Sequence, residues 1–315
     1  VKADDTTPLP TQLTPVYPTT AGLGQATLRK LVERALAAPI TDTLPADWLA
    51  RLGLPELEAS IRLLHQPPLD SALAELESRR HPAWQRLAFD ELLAQQLSLA
   101  TARRQRQQLR TTPLPARQQL SAAFTRALPF ELTGAQMHAW QEISADLGKP
   151  HPMRRLLQGD VGSGKTVVAA LACLQAIENG LQAAFMAPTE ILAEQHYRKL
   201  AQPLSALGVR CAWVSGSQRK SERTTAWQAI AAGEVDLAFG THALFQEAGR
   251  FARLGLAVVD EQHRFGVGQR LALMEKGSEP HQLMMSATPI PRTLAMSYFA
   301  DLDVSTINEL PPGRT

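Results

Sequence analysis

Residues 159–166 read Gly159-Asp160-Val161-Gly162-Ser163-Gly164-Lys165-Thr166. The run matches the pattern G-x-x-x-x-G-K-[ST], follows a short apolar segment and opens an apolar helical segment, which is the context that a phosphate-binding loop requires. Glycine permits the unusual φ values that let backbone N–H groups approach a phosphate, and the helix start adds a positive dipole end. We therefore predict that residues 159–166 bind a nucleotide, with Lys165 at its β- and γ-phosphates and the Thr166 hydroxyl on Mg²⁺.

A second set of polar residues follows the apolar segment Leu256–Val259. Asp260 and Glu261 come directly after this segment, and His263 lies two residues further on. A carboxylate at a strand end can hold Mg²⁺ through water, and its neighbour can orient an attacking water and take its proton. We assign Asp260 to the metal and Glu261 to the water, so the predicted catalytic residues are Glu261 and Lys165. For His263 we predict a γ-phosphate sensor, with a surface loop histidine as the alternative.

Short apolar segments alternate with helical segments after residue 129. The candidate strands are Leu156–Gln158, Ala183–Ala187, Cys211–Val214, Val235–Phe239, Leu256–Val259 and Gln282–Met285. This alternation favours a parallel sheet with helices on both faces, so the predicted fold class is α/β. Ligands of such sheets bind beyond the carboxyl ends of the strands, which is where the phosphate loop and the acidic pair fall.

The first part of the chain has a different pattern. Residues 1–20 carry prolines among threonines, which indicates an extended connector. Between residues 21 and 127 the apolar residues recur at helical spacing and predict helices over Gln25–Ala38, Pro45–Leu52, Pro55–Leu64, Ala83–Leu109 and Ala116–Leu128. The longest of these ends in an arginine cluster made of Arg103, Arg104, Arg106 and Arg110. We interpret the cluster as a solvated helix end, with phosphate contact as the alternative.

The composition narrows the class of protein. A formal net charge of +2 and a hydrophobic content of 44% indicate a globular core without a histone-like basic coat. Cys173 and Cys211 lie far apart and have no CxxC partner, which disfavours a disulfide scaffold or a cysteine zinc site. The longest apolar run, Val167–Leu174, is far shorter than the roughly 18 residues of a membrane span. We expect a cytoplasmic protein with no membrane partner.

Several runs give the sequence a family resemblance. The phosphate loop, Asp260–His263 (D-E-Q-H) and Ser286–Thr288 (S-A-T) resemble motifs I, II and III of superfamily 2 helicases. Residues 187–190 (A-P-T-E) and 240–242 (G-T-H) resemble motifs Ia and Ib. Residues 130–136 (F-E-L-T-G-A-Q) resemble the adenine-reading Q-motif region, with Gln136 as its glutamine. The resemblance implies a RecA-like fold over residues 128–315 and the cofactors ATP and Mg²⁺.

Within this superfamily the sequence is similar to the RecG family of branched-DNA helicases. The similarity lies in residues 260–267 (D-E-Q-H-R-F-G-V), 286–294 (S-A-T-P-I-P-R-T-L) and 13–19 (L-T-P-V-Y-P-T), and in the helical region that follows residue 19. The transcription-repair coupling factor shares much of the first two runs and is an alternative.

The resemblance also implies roles for further residues. Ser286 and Thr288, with His263, would couple the nucleotide site to a bound strand. Thr189, Thr241 and Arg292 would contact the sugar-phosphate backbone, which positions a protein on DNA without reading its sequence. For Thr189 the alternative is a helix N-cap, and the two roles can coexist.

The whole protein implied by the resemblance is an ATP-driven translocase on double-stranded DNA that acts on stalled forks and Holliday junctions. Residues 1–20 would connect to a wedge domain before Val1, residues 21–127 would form a helical linker region, and residues 128–315 would be the first motor lobe. A second lobe with an arginine finger would follow Thr315. The other functions that we consider are a P-loop ATPase that moves something else, such as a transporter subunit, and a nucleotide-regulated interaction module without turnover.

Overall fold

The computed structural model describes residues 12–19, 22–241, 244, 250–260, 279–287 and 302–309. The chain divides into two compact units, Val1–Ser98 and Leu99–Thr315. The described part of the first unit is mainly helical, and the second contains a sheet. The domain boundary that we placed between residues 127 and 128 stays a prediction.

The first unit is built from short helices and the start of a long one. Their bounds are α1 Gln25–Leu36, α2 Ala46–Leu52, α3 Leu57–His65, α4 Leu73–Glu77 and α5 Pro82–Gln108, of which α5 continues into the second unit. The guanidinium of Arg86 on α5 is fully buried and lies 2.7 Å from Asp42 Oδ1 and 3.1 Å from Asp90 Oδ1. Hydrogen bonds from Arg86 hold the pKa of Asp42 well below its usual range. Because a buried charge is costly unless paired, this contact fixes α5 to the segment that precedes α2.

Within the described residues of the second unit, seven strands form one parallel sheet. Their bounds are β1 Arg154–Gly159, β2 Gln182–Met186, β3 Cys211–Val214, β4 Leu237–Gly240, β5 Leu254–Val259, β6 His281–Ser286 and β7 Asp303–Ile307. The strand order is β3-β4-β2-β5-β6-β1-β7, and neighbouring strands run parallel. The predicted α/β class is confirmed, and β1 to β6 are the six predicted strands. The edge strand β7 was not predicted.

Helices pack on both faces of the sheet, as predicted. They are α6 Leu120–Ala127, α7 Gly134–Leu147, α8 Lys165–Glu178, α9 Glu190–Ser205 and α10 Lys220–Ala232. Neighbouring strand residues belong to two separate apolar clusters, because successive side chains point to opposite faces. Leu157 packs in a cluster with residues of α7, α8 and α9, whereas Leu156 packs in a cluster with Ile230 of α10. Among the described residues, no helix is both long and apolar enough to cross a membrane.

Contacts from two arginines hold the edge strand β7 in place. Arg155 of β1 lies 2.6 Å from Asp146 Oδ2 of α7 and donates to Ser305 Oγ of β7 at 2.7 Å. Arg106, near the end of α5, is 5% exposed and lies 2.8 Å from Asp303 Oδ2 of β7. Both interpretations of the arginine cluster are therefore wrong for Arg106, because its charge is buried in an ion pair rather than offered to solvent or phosphate.

Candidate functional site

The phosphate loop connects β1 to α8. Gly162 and Gly164 have φ values of 89° and 87°, in the left-handed region that glycine adopts without strain. Helix α8 begins at Lys165, and its N-cap residue Gly164 provides no side-chain cap. The N–H groups of a helix's first turn have no partner within the helix, and together with the helix dipole they favour an anion. The loop therefore has the backbone geometry that phosphate binding requires.

The ammonium group of Lys165 lies over this loop. Lys165 Nζ donates to the carbonyl oxygens of Gly159 at 2.6 Å and Asp160 at 2.9 Å. A phosphate oxygen is a stronger partner for an ammonium than a neutral carbonyl, because both partners are then charged. The lysine thus lies within the loop, where the phosphates of a nucleotide can replace its carbonyl partners.

The start of the loop has no room for a side chain. A Cβ on Gly159 would lie 2.6 Å from Ser163 Oγ and 2.9 Å from the carbonyl oxygen of Ile307, so β7 forms one wall of the loop. Ser163 Oγ is buried and has no hydrogen-bond partner among the described residues. Such a hydroxyl is destabilising until a partner is provided, and a ligand oxygen in the loop is a suitable one. The residues of the loop therefore fit the phosphates of a nucleotide.

The side chain of Gln136 braces the phosphate loop. Its Nε2 donates to the Ser163 carbonyl at 2.7 Å, and its Oε1 accepts from the Thr133 N–H at 3.0 Å. Thr133 Oγ1 accepts in turn from the Gln136 N–H at 3.2 Å, which completes a capping box at the start of α7. Gln136 is 1% exposed. Its predicted contact with adenine would require an exchange of these partners, and it stays a prediction.

An open cavity lies beside the start of α7. It has a volume of about 570 Å³ and is lined by Thr125, Arg126, Leu128, Pro129, Phe130, Glu131, Leu132 and Met137. The Phe130 ring is 43% exposed there. An aromatic ring and a guanidinium are the planar groups on which a nucleotide base stacks. The cavity is therefore the candidate for the base, and it includes the first residues of the run 130–136.

Asp260 and Ser286 share the sheet edge with the phosphate loop. Asp260 follows β5, and its N–H donates to the carbonyl of Met186 at the end of β2 at 2.8 Å. Ser286 ends β6, which lies between β5 and β1, and is 2% exposed. Strands are spaced by about 4.8 Å, so the ends of β5 and β1 lie about 10 Å apart. The structure thus brings the phosphate loop, Asp260 and Ser286 together at the carboxyl ends of the strands. Asp260 is the predicted metal-binding carboxylate, and Ser286 is one of the predicted coupling residues.

His196, on α9, is a residue of this site that sequence reasoning missed. Its Nε2 lies 2.7 Å from Asp260 Oδ2, and both side chains are nearly buried. The sequence contained a signal for it, because His196 lies between Ala193 and Leu200 in the apolar stripe of α9. A polar side chain at such a position needs a buried partner.

The predicted DNA-contact residues have different surroundings. Thr189 is exposed and is the N-cap of α9, where its Oγ1 accepts from the Leu192 N–H at 3.4 Å. This is the alternative role considered for it, which leaves a DNA contact open. Thr241 follows β4 and is only 5% exposed.

Glu190, the first residue of α9, accepts hydrogen bonds from Ser215 Oγ at 2.6 Å and the Ser217 N–H at 3.0 Å. Motif Ia is therefore tied to the loop after β3.

Four predicted site residues lie outside the described residues. They are Glu261, His263, Thr288 and Arg292. Their assigned roles in water activation, coupling and DNA contact stay predictions.

Comparison with known proteins agrees with the site. The sequence model of the DEAD/DEAH box helicase family matches residues 133–297. Along its whole length the chain is 50% identical to the ATP-dependent DNA helicase RecG of Escherichia coli (strain K12), of which it covers 46%. It is 43% identical to RecG of Thermotoga maritima over 96% of the chain and 38% of that protein. The chain thus spans about half or less of the length of these relatives, and the resemblance to RecG is confirmed.

A solved structure supports the same relationship. The structure of RecG bound to a three-way DNA junction matches with a TM-score of 0.75 and 41% sequence identity, covering 96% of this chain and 40% of that one. The RecA-like fold inferred from the motifs is confirmed by this match. The match of the family model to residues 133–297 covers more than half of the chain and includes the phosphate loop and Asp260. The chain belongs to the DEAD/DEAH box helicase family.

Proposed function

We propose that this chain is the helical linker region and first motor lobe of a RecG-type, ATP-dependent DNA helicase. The observation that carries the proposal is that the Lys165 loop and Asp260 lie two strands apart on one edge of a parallel sheet. The proposed substrate of the whole protein is branched double-stranded DNA, at stalled forks and Holliday junctions. The relatives from Escherichia coli and Thermotoga maritima described above are RecG proteins, and each matches at least 96% of this chain, which supports this choice over the transcription-repair alternative.

The proposed nucleotide site uses residues of this chain in distinct roles. Bound ATP supplies the γ-phosphoryl group, and Mg²⁺ neutralises the charge of the phosphates. Lys165 leaves the carbonyls of Gly159 and Asp160 and pairs with the phosphates. Thr166 and Asp260 hold the metal, the latter through water. Glu261 orients the attacking water and accepts its proton, which is the role of a general base.

We further propose how the nucleotide site communicates with DNA. His263, Ser286 and Thr288 couple the γ-phosphate to the DNA-facing loops. Thr189, Thr241 and Arg292 hold the sugar-phosphate backbone, and the exposed position of Thr189 at the start of α9 supports its part. Helix starts and hydroxyl groups are common phosphate contacts in protein–DNA complexes.

The proposed location is the bacterial cytoplasm at the nucleoid, since the DNA substrate lies there.

Hydrolysis by the whole helicase is proposed to need a second RecA-like lobe. This lobe would provide an arginine finger, a group that is typically worth about 10³–10⁵ in rate. Translocation would need two lobes that close on ATP and open after hydrolysis. Residues 1–315 alone should therefore bind Mg-nucleotide weakly and hydrolyse it slowly.

The test compares this chain with a complete RecG-type protein that contains it. Nucleotide affinity is measured by titration with a fluorescent ATP analogue, and hydrolysis is measured with and without a three-way DNA junction. We expect weak binding and little hydrolysis by the chain, and junction-stimulated hydrolysis by the complete protein. Hydrolysis that ignores junction DNA in the complete protein would contradict the proposal and favour a different P-loop ATPase. Binding without any turnover in the complete protein would favour the interaction module.

A further inference from the structure

The carboxylate of Asp260 is held from the side by a histidine of another element. His196 Nε2 and Asp260 Oδ2 are 2.7 Å apart, and the side chains are 13% and 12% exposed. A carboxylate can only accept a hydrogen bond, so the Nε2 atom donates. A short hydrogen bond between two nearly buried groups is little disturbed by water and therefore restricts the carboxylate strongly.

The histidine ring is itself fixed in orientation. Its centroid lies 4.7 Å from that of Phe185 on β2, at an interplanar angle of 44°. Phe185 is 1% exposed and stacks in turn on Phe239 of β4, with ring centroids 5.6 Å apart. His196 thus has one face packed against the sheet and its Nε2 directed at the end of β5. A donor with a fixed ring can set the rotamer of its acceptor.

The backbone of Asp260 is fixed by a separate contact. Its N–H donates to the Met186 carbonyl at 2.8 Å, which holds the end of β5 to the end of β2. That bond leaves the side-chain torsions of Asp260 undetermined. The hydrogen bond from His196 restricts these torsions. The backbone of Asp260 is therefore held by β2, and its side chain is held by α9, the helix that follows β2.

We infer that His196 is a positioning residue for the metal site, which holds the Asp260 carboxylate in the orientation that Mg²⁺-nucleotide binding uses. Loss of a residue that hydrogen-bonds a direct metal ligand typically costs 10–100-fold in metal affinity or activity. Because Asp260 contacts the metal through water, we expect the loss of its partner to cost about 10-fold, the lower end of that range. The inference rests on the proposed function, in which Asp260 holds Mg²⁺ through water. Helix α9 thus contacts Asp260 through His196, and the same helix has Thr189 as its N-cap.

Two substitutions at one position test the inference. His196→Leu keeps an apolar side chain against Phe185 but removes the donor, whereas His196→Gln places an amide nitrogen at a reach similar to that of Nε2. The matched control is Tyr197→Leu on the same helix, because Tyr197 packs against Trp213 and Phe239 at centroid distances of 5.8 Å and 5.6 Å. Circular dichroism verifies that each variant is folded.

The measurement is the affinity of the 315-residue chain for a fluorescent, non-hydrolysable ATP analogue, with saturating Mg²⁺ and with EDTA. We expect His196→Leu to weaken binding about 10-fold in Mg²⁺, and to change it little in EDTA. His196→Gln should restore most of the Mg²⁺-dependent affinity. Tyr197→Leu should change both affinities by the same factor, if at all.

The outcomes separate the inference from the function on which it rests. Unchanged binding in His196→Leu, or an equal loss with Mg²⁺ and with EDTA, would overturn the positioning role while the proposed function stands. Absence of nucleotide binding by the unsubstituted chain would instead refute the proposed function, and the inference with it. If His196→Leu does not fold, the decision passes to His196→Gln: Mg²⁺-dependent affinity close to that of the unsubstituted chain supports the inference, and its loss refutes it.

Discussion

Replacing Gly164 by Ala should disturb the brace between the phosphate loop and α7. Gly164 has a φ of 87°, and an added Cβ would overlap the amide nitrogen of Gln136. The Gln136 side chain would have to leave its place. It would then lose its bonds to the Ser163 carbonyl and the Thr133 N–H, which measure 2.7 Å and 3.0 Å.

Two terms add up to the expected cost. An alanine in the left-handed region is strained by about 1–2 kcal/mol. Two lost hydrogen bonds contribute about 1 kcal/mol each, so Gly164→Ala should lower the free energy of unfolding by about 3–4 kcal/mol. In a chain that already carries Gln136→Ala, only the strain remains, about 1–2 kcal/mol. The two positions should therefore be coupled by about 2 kcal/mol, within the range found for contacting residues.

The assay is urea unfolding of the four proteins of the double-mutant cycle, followed by tryptophan fluorescence. All four carry Trp48→Phe and Trp84→Phe, so that the signal comes from the tryptophans of the unit Leu99–Thr315. Equal costs of Gly164→Ala with and without Gln136 would refute the overlap argument. Nucleotide titration of the same proteins adds a second measurement: if Gln136 only braces the loop, Gln136→Ala should weaken ATP and GTP analogues alike.

Three further predictions concern single residues. Lys165→Ala should abolish ATP-dependent activity of the complete helicase, because the phosphate charge loses its partner, and near-normal ATPase would contradict the phosphate-loop assignment. Glu261→Gln should leave nucleotide affinity intact while turnover falls roughly 10²-fold or more, and parallel losses of both would indicate a structural role instead. Burial lowers the pKa of His281 from 6.5 to about 4. The His281 side chain is therefore protonated below pH 6.5 in the unfolded chain, but only below about pH 4 in the folded chain. Because the unfolded state binds the proton first, the free energy of unfolding should fall by up to about 3 kcal/mol as the pH drops from 6.5 to about 4. Urea titrations across this pH range should show this dependence of the free energy of unfolding on pH, and His281→Gln should reduce it. An unchanged pH dependence in the variant would show that His281 is not its source.

The central strands could be predicted because burial on both faces leaves an apolar run in the sequence. Leu254–Val259 and Gln182–Met186 have such runs, and all but the first residue of β5 is buried. The edge strand Asp303–Ile307 was missed because its polarity does not follow its burial: Val304 is 39% exposed, whereas Ser305 is 1% exposed. Its polar residues depend on remote partners. Ser305 is paired with Arg155, and Asp303 with Arg106, far away in the sequence. No local pattern encodes such pairs.

The candidate site also combines features that a local sequence pattern encodes with features that depend on contacts between remote segments. The motif of the phosphate loop fixes its residues and its backbone, so its position between β1 and α8 followed from the sequence. The brace formed by Gln136 was partly visible, since Thr133 and Gln136 have the spacing of a capping box. Its bond to Ser163 was not visible, because it depends on how α7 packs beside the loop. The contact of His196 with Asp260 likewise arises only when β2, α9 and β5 come together.

The place of β1 in the sheet limits when the phosphate loop can form during synthesis. β1 lies between β6 and β7, which are the last two strands described along the chain. A ribosome adds roughly 5–20 residues per second, so Ile307, about 150 residues after Gly159, is made roughly 7–30 s later. Until then β1 lacks β7, one of its two strand neighbours, and the loop lacks the wall that Ile307 provides. The nascent chain therefore carries an unpaired strand until β6 is made, which is the kind of segment that chaperones protect, and it completes the wall of the phosphate loop only once β7 has been added.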